Sequence, residues 1–321
     1  MSSNFKGAII ALFAFGVFAM HDVFVKVLGG IYSPFQIVFF SVLLSFPLAT
    51  VTLMRDAKPG TLVPAHPWWM ALRTGAAVVT GVSAFYAFSV LPLAQTYAIL
   101  FSSPLLITIL AIPVLGETVR LRRWFAVIAG LVGVLIVLRP GQTQMTLGHM
   151  AAVVAAVGGA TASIAVRKIA ADERPVVILL YPMVVNFVVM ACALPFVYLP
   201  MPIEHLGMLG IIAVFAWIAS RLVIKAYLEG EAAIIAPMQY SQIIWATVFG
   251  LVLFDETLEP QTMIGAAVII GSGMYIVLRE SKGGGSENTP VLRTRSRSET
   301  GTIPRVSLFM RIAGKAPPRQ D

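Results

Sequence analysis

Ten apolar stretches, each near the length of a bilayer-crossing helix, follow one another through this chain. That feature alone removes most of the folds open to it. Crossing the hydrocarbon takes about 20 mostly apolar residues. On this template the stretches are 7–27, 34–54, 68–90, 94–115, 124–138, 147–166, 176–198, 206–228, 232–254 and 258–278, the fifth being the shortest. Turn-formers or charges separate them, as in Gly29-Gly30, Lys58-Pro59-Gly60, Arg139-Pro140-Gly141 and Asp172-Glu173-Arg174-Pro175. Lipid offers no hydrogen-bond partner to an open backbone, so each stretch must be helical. Composition agrees: 12% of residues are charged, against about 25% in soluble domains. So few charges cannot clothe a water-soluble surface. The expected fold is all-α and integral to a membrane.

Charge is distributed unevenly. The net charge is +8, and from Arg279 onward nine basic residues face four acidic ones, so five of those eight positive charges sit at the end. Residues 280–321 are expected to be a basic, disordered, cytoplasmic tail. Solvation of this tail and attraction to anionic lipid headgroups are both open readings. The basic balance is a tail property and points to no nucleic-acid partner. Loop charge sets the orientation. With the N-terminus in the cytoplasm, the inner loops hold Lys6, Arg55, Lys58, Arg120, Arg122, Arg123, Arg167, Lys168 and Arg174. The outer loops hold Arg139, with Lys26 near the end of the first span. Both termini are therefore expected in the cytoplasm. The single cysteine, Cys192, excludes an intrachain disulfide and a Cys-based metal site, and reads as a small core residue.

The chain repeats itself. Gly116-Glu117-Thr118, ending the fourth span, matches Asp255-Glu256-Thr257, ending the ninth. Val137-Leu138-Arg139 matches Val277-Leu278-Arg279, Gly7 aligns with Gly148, and Val25-Lys26 aligns with Val166-Arg167. Two units of five spans follow, 7–139 and 148–279. Five is odd, so the second unit sits upside down relative to the first. Inverted repeats of this kind are a transporter architecture, with the substrate held near the midplane between the halves.

On these features the chain resembles the drug/metabolite transporter superfamily in its ten-helix EamA branch. The resemblance rests on Gly116-Glu117-Thr118 before a short fifth span, on its twin Asp255-Glu256-Thr257, and on the Ala-rich starts of the fourth and ninth spans. It implies a carrier in a bacterial inner membrane, working by alternating access, with a small-molecule substrate and no metal or organic cofactor. Within the branch, the segment from Ile235 to Trp245 resembles riboflavin importers, and also carriers of S-adenosylmethionine. Riboflavin uptake is the first expectation. S-adenosylmethionine transport and export of an amino acid or drug are the alternatives.

Polar residues inside spans need partners or a cavity. In the ninth span Gln239, Gln242 and Ala246 are spaced for one helical face, flanked by Tyr240, Ser241 and Trp245. Amides and aromatics suit a flat hydrogen-bonding heterocycle. Hydrogen bonding between helices is the competing explanation. In the fourth span Tyr97, Ser102, Ser103 and Pro104 occupy the corresponding places, with Ser102 aligned to Ser241 and Ser103 to Gln242. Pro104 permits a kink. The eighth span aligns Trp217, Arg221 and Lys225, a pattern suited to a cation–π contact and to a snorkelling lysine. Tyr86 and Asn186 are further cavity candidates, and Arg73 reads as a snorkelling anchor. In the first span Asp22 and Lys26 stand four apart with His21 beside them. An internal salt bridge is one reading, and a proton-coupling set of Asp22, His21 and Lys26 the other. Glu117 and Glu256 read as structural groups that satisfy free amides at a helix start.

Two other classes compete with a carrier. An integral-membrane enzyme would carry a nucleophile, zinc or nucleotide motif, and none appears. A channel or scaffold would need neither the duplication nor the midplane amides. Lipid is an expected partner, and association into a homodimer is left open.

Overall fold

The structure, a computed structural model, describes residues 3–53, 62–116, 121–140, 145–170, 172–230, 232–257 and 259–282. Arg55, Lys58, Glu117, Arg120 and nearly all of the basic tail lie outside them.

The described chain is helical: α1 Ser3–Gly29, α2 Pro34–Leu53, α3 Pro67–Val90, α4 Leu93–Leu100, α5 Ser103–Leu115, α6 Leu121–Leu138, α7 Leu147–Ile169, α8 Pro175–Val197, α9 Ile203–Glu229, α10 Ala232–Ile235, α11 Ser241–Phe254 and α12 Pro260–Lys282. A 3-10 turn, Ala236–Tyr240, joins α10 to α11. Helices α2, α3, α8 and α12 each open on a proline, whose missing N–H would have had no partner there anyway. Helix α7 opens on a capping box between Thr146 and His149. Among the described residues, eight helical stretches are long and apolar enough to cross a membrane, and Trp124–Leu138 and Pro260–Ile276 are shorter apolar helices. Their outward faces carry Phe13, Phe125, Phe196, Ile244 and Val252, as lipid requires.

Packing exchanges the halves. Helix α1 lies along α9, and its counterpart α7 lies along α3. Helix α6 packs on its own counterpart α12, and α2 on α8. Helices α4 and α5 meet α7 as α10 and α11 meet α1. The aligned glycines make equivalent approaches. A Cβ on Gly7 would sit 2.9 Å from the Ala226 carbonyl at the end of α9, and one on Gly148 would sit 2.9 Å from Leu91 just past α3. The signature motifs are also equivalent in backbone: Gly116 (φ 70°) and Asp255 (φ 51°) both end their helices in the left-handed region. Glycine adopts that conformation freely and aspartate is one of the few residues that tolerates it.

Two expectations are corrected. Cys192 is exposed on α8 rather than in the core, because it lies on the side of that helix that carries the exposed Val188, Val189 and Phe196. Arg73 is buried; it does not extend to the surface as a snorkelling side chain would.

Candidate functional site

The fourth and ninth spans are both broken, and at the same place. Helix α4 stops at Leu100 and α5 starts at Ser103, while the 3-10 turn stops at Tyr240 and α11 starts at Ser241. Pro104 stands in the first turn of α5 and Pro237 in the first turn of the 3-10 segment. Each lacks the N–H that would continue the preceding helix. The breaks touch: the rings of Phe101 and Tyr240 lie 5.1 Å apart, edge to face. The two halves of the molecule therefore meet where their helices are interrupted.

Buried polar atoms without partners collect at the second break. Tyr240 Oη, Ser241 Oγ and Gln242 Nε2 belong to consecutive buried residues, and none has a hydrogen-bond partner among the described residues. Native interiors satisfy nearly all such groups, so three in sequence point to water or a ligand. The 3-10 turn changes the expected register. Gln242 and Ala246 stay buried together, but Gln239 lies inside the turn and is only partly buried. The three do not share one continuous α-helical face.

A chain of contacts leads from this break to the first helix. Phe101 packs on Tyr97, and Tyr97 on Phe88. The Tyr97 hydroxyl donates to Asp22 Oδ2, and His21 Nδ1 lies 2.8 Å from Asp22 Oδ1. His21 rests edge-on against Phe85, 6.1 Å between centroids. Asp22, His21 and Tyr97 are all buried. The structure thus brings together Asp22, His21, Tyr97 and Tyr240 from the sequence-derived set.

Lys26 is elsewhere. Its ammonium is 2.8 Å from Glu256 Oε1, donates to the Leu91 carbonyl at 2.6 Å and lies over the Phe254 ring. The internal Asp22–Lys26 salt bridge is therefore replaced by a tie between halves. Glu256 does satisfy a helix-start amide, as expected of it, but at α4: Leu93 N–H donates to its Oε2 at 3.0 Å. Glu117 lies outside the described residues.

Other candidates make helix–helix contacts. The Trp245 indole donates to the Leu12 carbonyl of α1 at 3.2 Å. The Ser103 hydroxyl donates to the Ala156 carbonyl of α7 at 3.3 Å. Ser102 is buried at the break itself, and Tyr86 is partly buried on α3. Arg221 stacks over Trp217 at 4.9 Å, the cation–π contact read from their spacing, and Lys225 is exposed. Asn186 is fully buried on α8, and neither amide atom has a partner among the described residues.

Sequence reasoning missed a group at the end of the bundle where α4 begins and α11 finishes. Arg139 Nη2 is 2.6 Å from Glu259 Oε2, and the Gln95 amide nitrogen is 3.1 Å from His149 Nε2. The repeat of the Glu-Thr motif marked the neighbourhood, but nothing local in sequence pairs Gln95 with His149.

A profile of the EamA-like transporter family matches residues 5–139 and 146–278. The chain belongs to the EamA-like transporter family. It is 28% identical over 263 residues to an S-adenosylmethionine uptake transporter of Rickettsia bellii, covering 82% of this chain and 90% of that one. It is 27% identical over 192 residues to a riboflavin transporter of Vibrio cholerae, covering 60% and 64%. A solved crystal structure at 17% identity superposes with a TM-score of 0.56 over 85% of this chain and 98% of that one, a likeness in fold. As an EamA-family transporter the chain is not an enzyme. It is a multi-span membrane protein that moves a small molecule.

Proposed function

We propose that this transporter is a secondary carrier taking up a small heterocyclic metabolite, with S-adenosylmethionine the first candidate and riboflavin the second. The observation that carries the reading is the meeting of two interrupted helices beside three unpartnered buried polar groups. Interrupted helices at a repeat interface expose backbone and side-chain polar atoms only where a cavity receives them. Ser102, Tyr240 and Gln242 supply hydrogen-bonding groups at the breaks. Gln239, Tyr86, Trp217 and Arg221 are wall candidates, while Ser103 and Trp245 hold the helices that carry the breaks.

The order of candidates differs from the sequence-based expectation for two reasons. The match to the S-adenosylmethionine carrier extends over more of both chains. The chemistry also favours a cation. The buried Asp22 carboxylate, with Phe85, Phe88, Tyr97 and Phe101 in the contacts around it, matches a sulfonium, which aromatic faces and a carboxylate both attract. Riboflavin remains supported by the amides of the ninth span.

Alternating access then follows from rocking of one five-helix half against the other, driven by unequal stabilisation of the two states. Asp22, bridged to His21 and Tyr97, is the proposed proton-coupling group. Lys26 enters as the inter-half tie rather than as its titrating partner. Both termini are assigned to the cytoplasm of a bacterial inner membrane on loop charge.

Purified protein in liposomes loaded with buffer tests this directly. Saturable accumulation of labelled S-adenosylmethionine, competed by the unlabelled compound and accelerated by an inward proton gradient, is expected. Saturable accumulation of labelled riboflavin with no flux of S-adenosylmethionine would move the vitamin to first place. Absence of flux for both would remove the assignment.

A further inference from the structure

The apolar core is continuous at one end of the bundle and divided at the other. At the end that holds Lys26 and Glu256 a single core joins α1, α3, α4, α6 and α9, with Leu28, Phe88, Leu93, Val137 and Leu209 among its members. At the opposite end the core falls into separate clusters. Ala11 and Phe15 of α1 pack with Val223 and Ala226 of α9. Met70 of α3 packs with Val166 and Ile169 of α7. Ile107 of α5 packs with Ala160 and Ile164 of α7. Among the described residues, no cluster there joins α1 or α9 to α3 or α7. Rocking of two bodies opens one end as it shuts the other, and this is the arrangement with the Lys26 end shut.

The link across the shut end is polar. Lys26 lies in the last turn of α1 and Glu256 just past α11, two helices that pack on each other. Both side chains reach across to the connection between α3 and α4. Lys26 donates to the Leu91 carbonyl at 2.6 Å, Leu93 N–H donates to Glu256 Oε2 at 3.0 Å, and the two charges meet at 2.8 Å. The side chains are only 14% and 16% exposed. A shielded ion pair adds little net stability, and its best-attested use is to choose between alternative arrangements.

The position of the pair says what it chooses between. On one side of it lies a cavity of about 240 Å³, with Ala94, Gln95, His149 and Glu256 among its lining residues. On the other side, one turn deeper along α1, lies Asp22, and one turn deeper along α4 than Leu93 lies Tyr97, which donates to that carboxylate. The pair stands between the cavity and the buried carboxylate. We propose that Lys26 and Glu256 are the latch that shuts this end of the transporter. When the pair is unmade, α1 and α11 part from the α3–α4 connection and Asp22 opens to the cavity. The proposal rests on the alternating-access reading and on no particular substrate. Loop charge assigns the latched end to the outside, so the divided end faces the cytoplasm.

The test is thiol accessibility of the purified full chain in detergent, where both ends meet the reagent and orientation does not matter. Cys192→Ser removes the one native cysteine. Ala94 lines the cavity, and Ala98, one turn deeper on the same helix, is fully buried. Ala160, fully buried in a cluster of the opposite end, controls for general loosening. With the pair intact, a maleimide should modify Ala98→Cys and Ala160→Cys slowly compared with the unfolded chain. Lys26→Met should raise the rate at Ala98→Cys at least tenfold and leave Ala160→Cys unchanged. Should that variant not fold, Lys26→Met with Glu256→Gln removes the same latch without leaving a lone charge, and the same tenfold rise is expected. Fast modification of Ala98→Cys with the pair intact, an unchanged rate in the folded unlatched variant, or equal rises at both reporters would overturn the latch. Failed flux of both metabolites in liposomes, with this labelling pattern observed, would remove the substrate assignment and leave the latch standing.

Discussion

Gln242 offers the sharpest distinction between a binding group and a structural one. Its amide nitrogen is buried without an acceptor among the described residues, so removing that donor breaks no hydrogen bond described in the resting fold. Replacing an unsatisfied buried polar group by an apolar one of similar shape is close to neutral or stabilising. Gln242→Leu should therefore leave the thermal midpoint unchanged or raise it, while uptake loses about tenfold in apparent affinity, about 1.4 kcal/mol. A structural amide would show the opposite pattern, a lower midpoint with affinity intact. Asp22 belongs to the same argument from the other side, since each of its carboxylate oxygens has a partner, His21 on one and Tyr97 on the other. Asp22→Asn keeps the shape and removes the titration, so uptake should become insensitive to an imposed proton gradient. Uptake measured with and without the gradient in the same vesicles checks this. These residues were legible in the sequence because a polar side chain in an apolar run is conspicuous. Partners were less so: Lys26 stands four residues from Asp22, yet it reaches instead to a glutamate 230 positions away in the chain. Spacing along a helix says which side chains can meet; it cannot weigh a local partner against one brought in by the fold.

At the scale of elements, the ten spans were readable because the bilayer fixes their length and polarity, and the turn residues between them are chemically distinct. The interruptions were only half readable. Pro104 announced a kink in the fourth span, and the break is there. In the ninth span the amides were assigned to one α-helical face, and the 3-10 turn at Ala236–Tyr240 displaced Gln239 from it. A periodicity argument assumes a single helical pitch, and a change of pitch is invisible to it. Element ends also carry the tie between halves. Lys26 and Glu256 are mostly shielded, and Glu256 further accepts the first amide of α4. Removing one partner of a shielded pair costs about 3–5 kcal/mol, more than the pair contributes when both are removed together. Lys26→Met and Glu256→Gln should each destabilise strongly. The double variant should be less destabilised than the sum of the two, and a double-mutant cycle on denaturation midpoints measures the difference.

For the whole molecule the deciding property is the inversion, since alternating access between two halves depends on it. Five spans per unit require equivalent loops of the two halves to lie on opposite faces of the membrane. The connection between the second and third helices of the first half contains Val63, and the equivalent connection of the second half contains Tyr198; both side chains are exposed. The chain has one native cysteine, so Cys192→Ser gives a background free of thiols with a single substitution. In that background Val63→Cys and Tyr198→Cys place one reactive group in each of the two equivalent loops. Intact cells treated with a membrane-impermeant maleimide should label Tyr198→Cys and spare Val63→Cys, and permeabilised cells should label both. That pattern follows only if the halves are inverted and the loop charges point inward as assigned. The reverse pattern in intact cells would keep the inversion and overturn the orientation. Labelling of both positions, or of neither, with intact membranes would put the equivalent loops on one face. The exchange of helices between halves would then need a different topology, and the paired interruptions of the fourth and ninth spans would no longer face each other across a midplane.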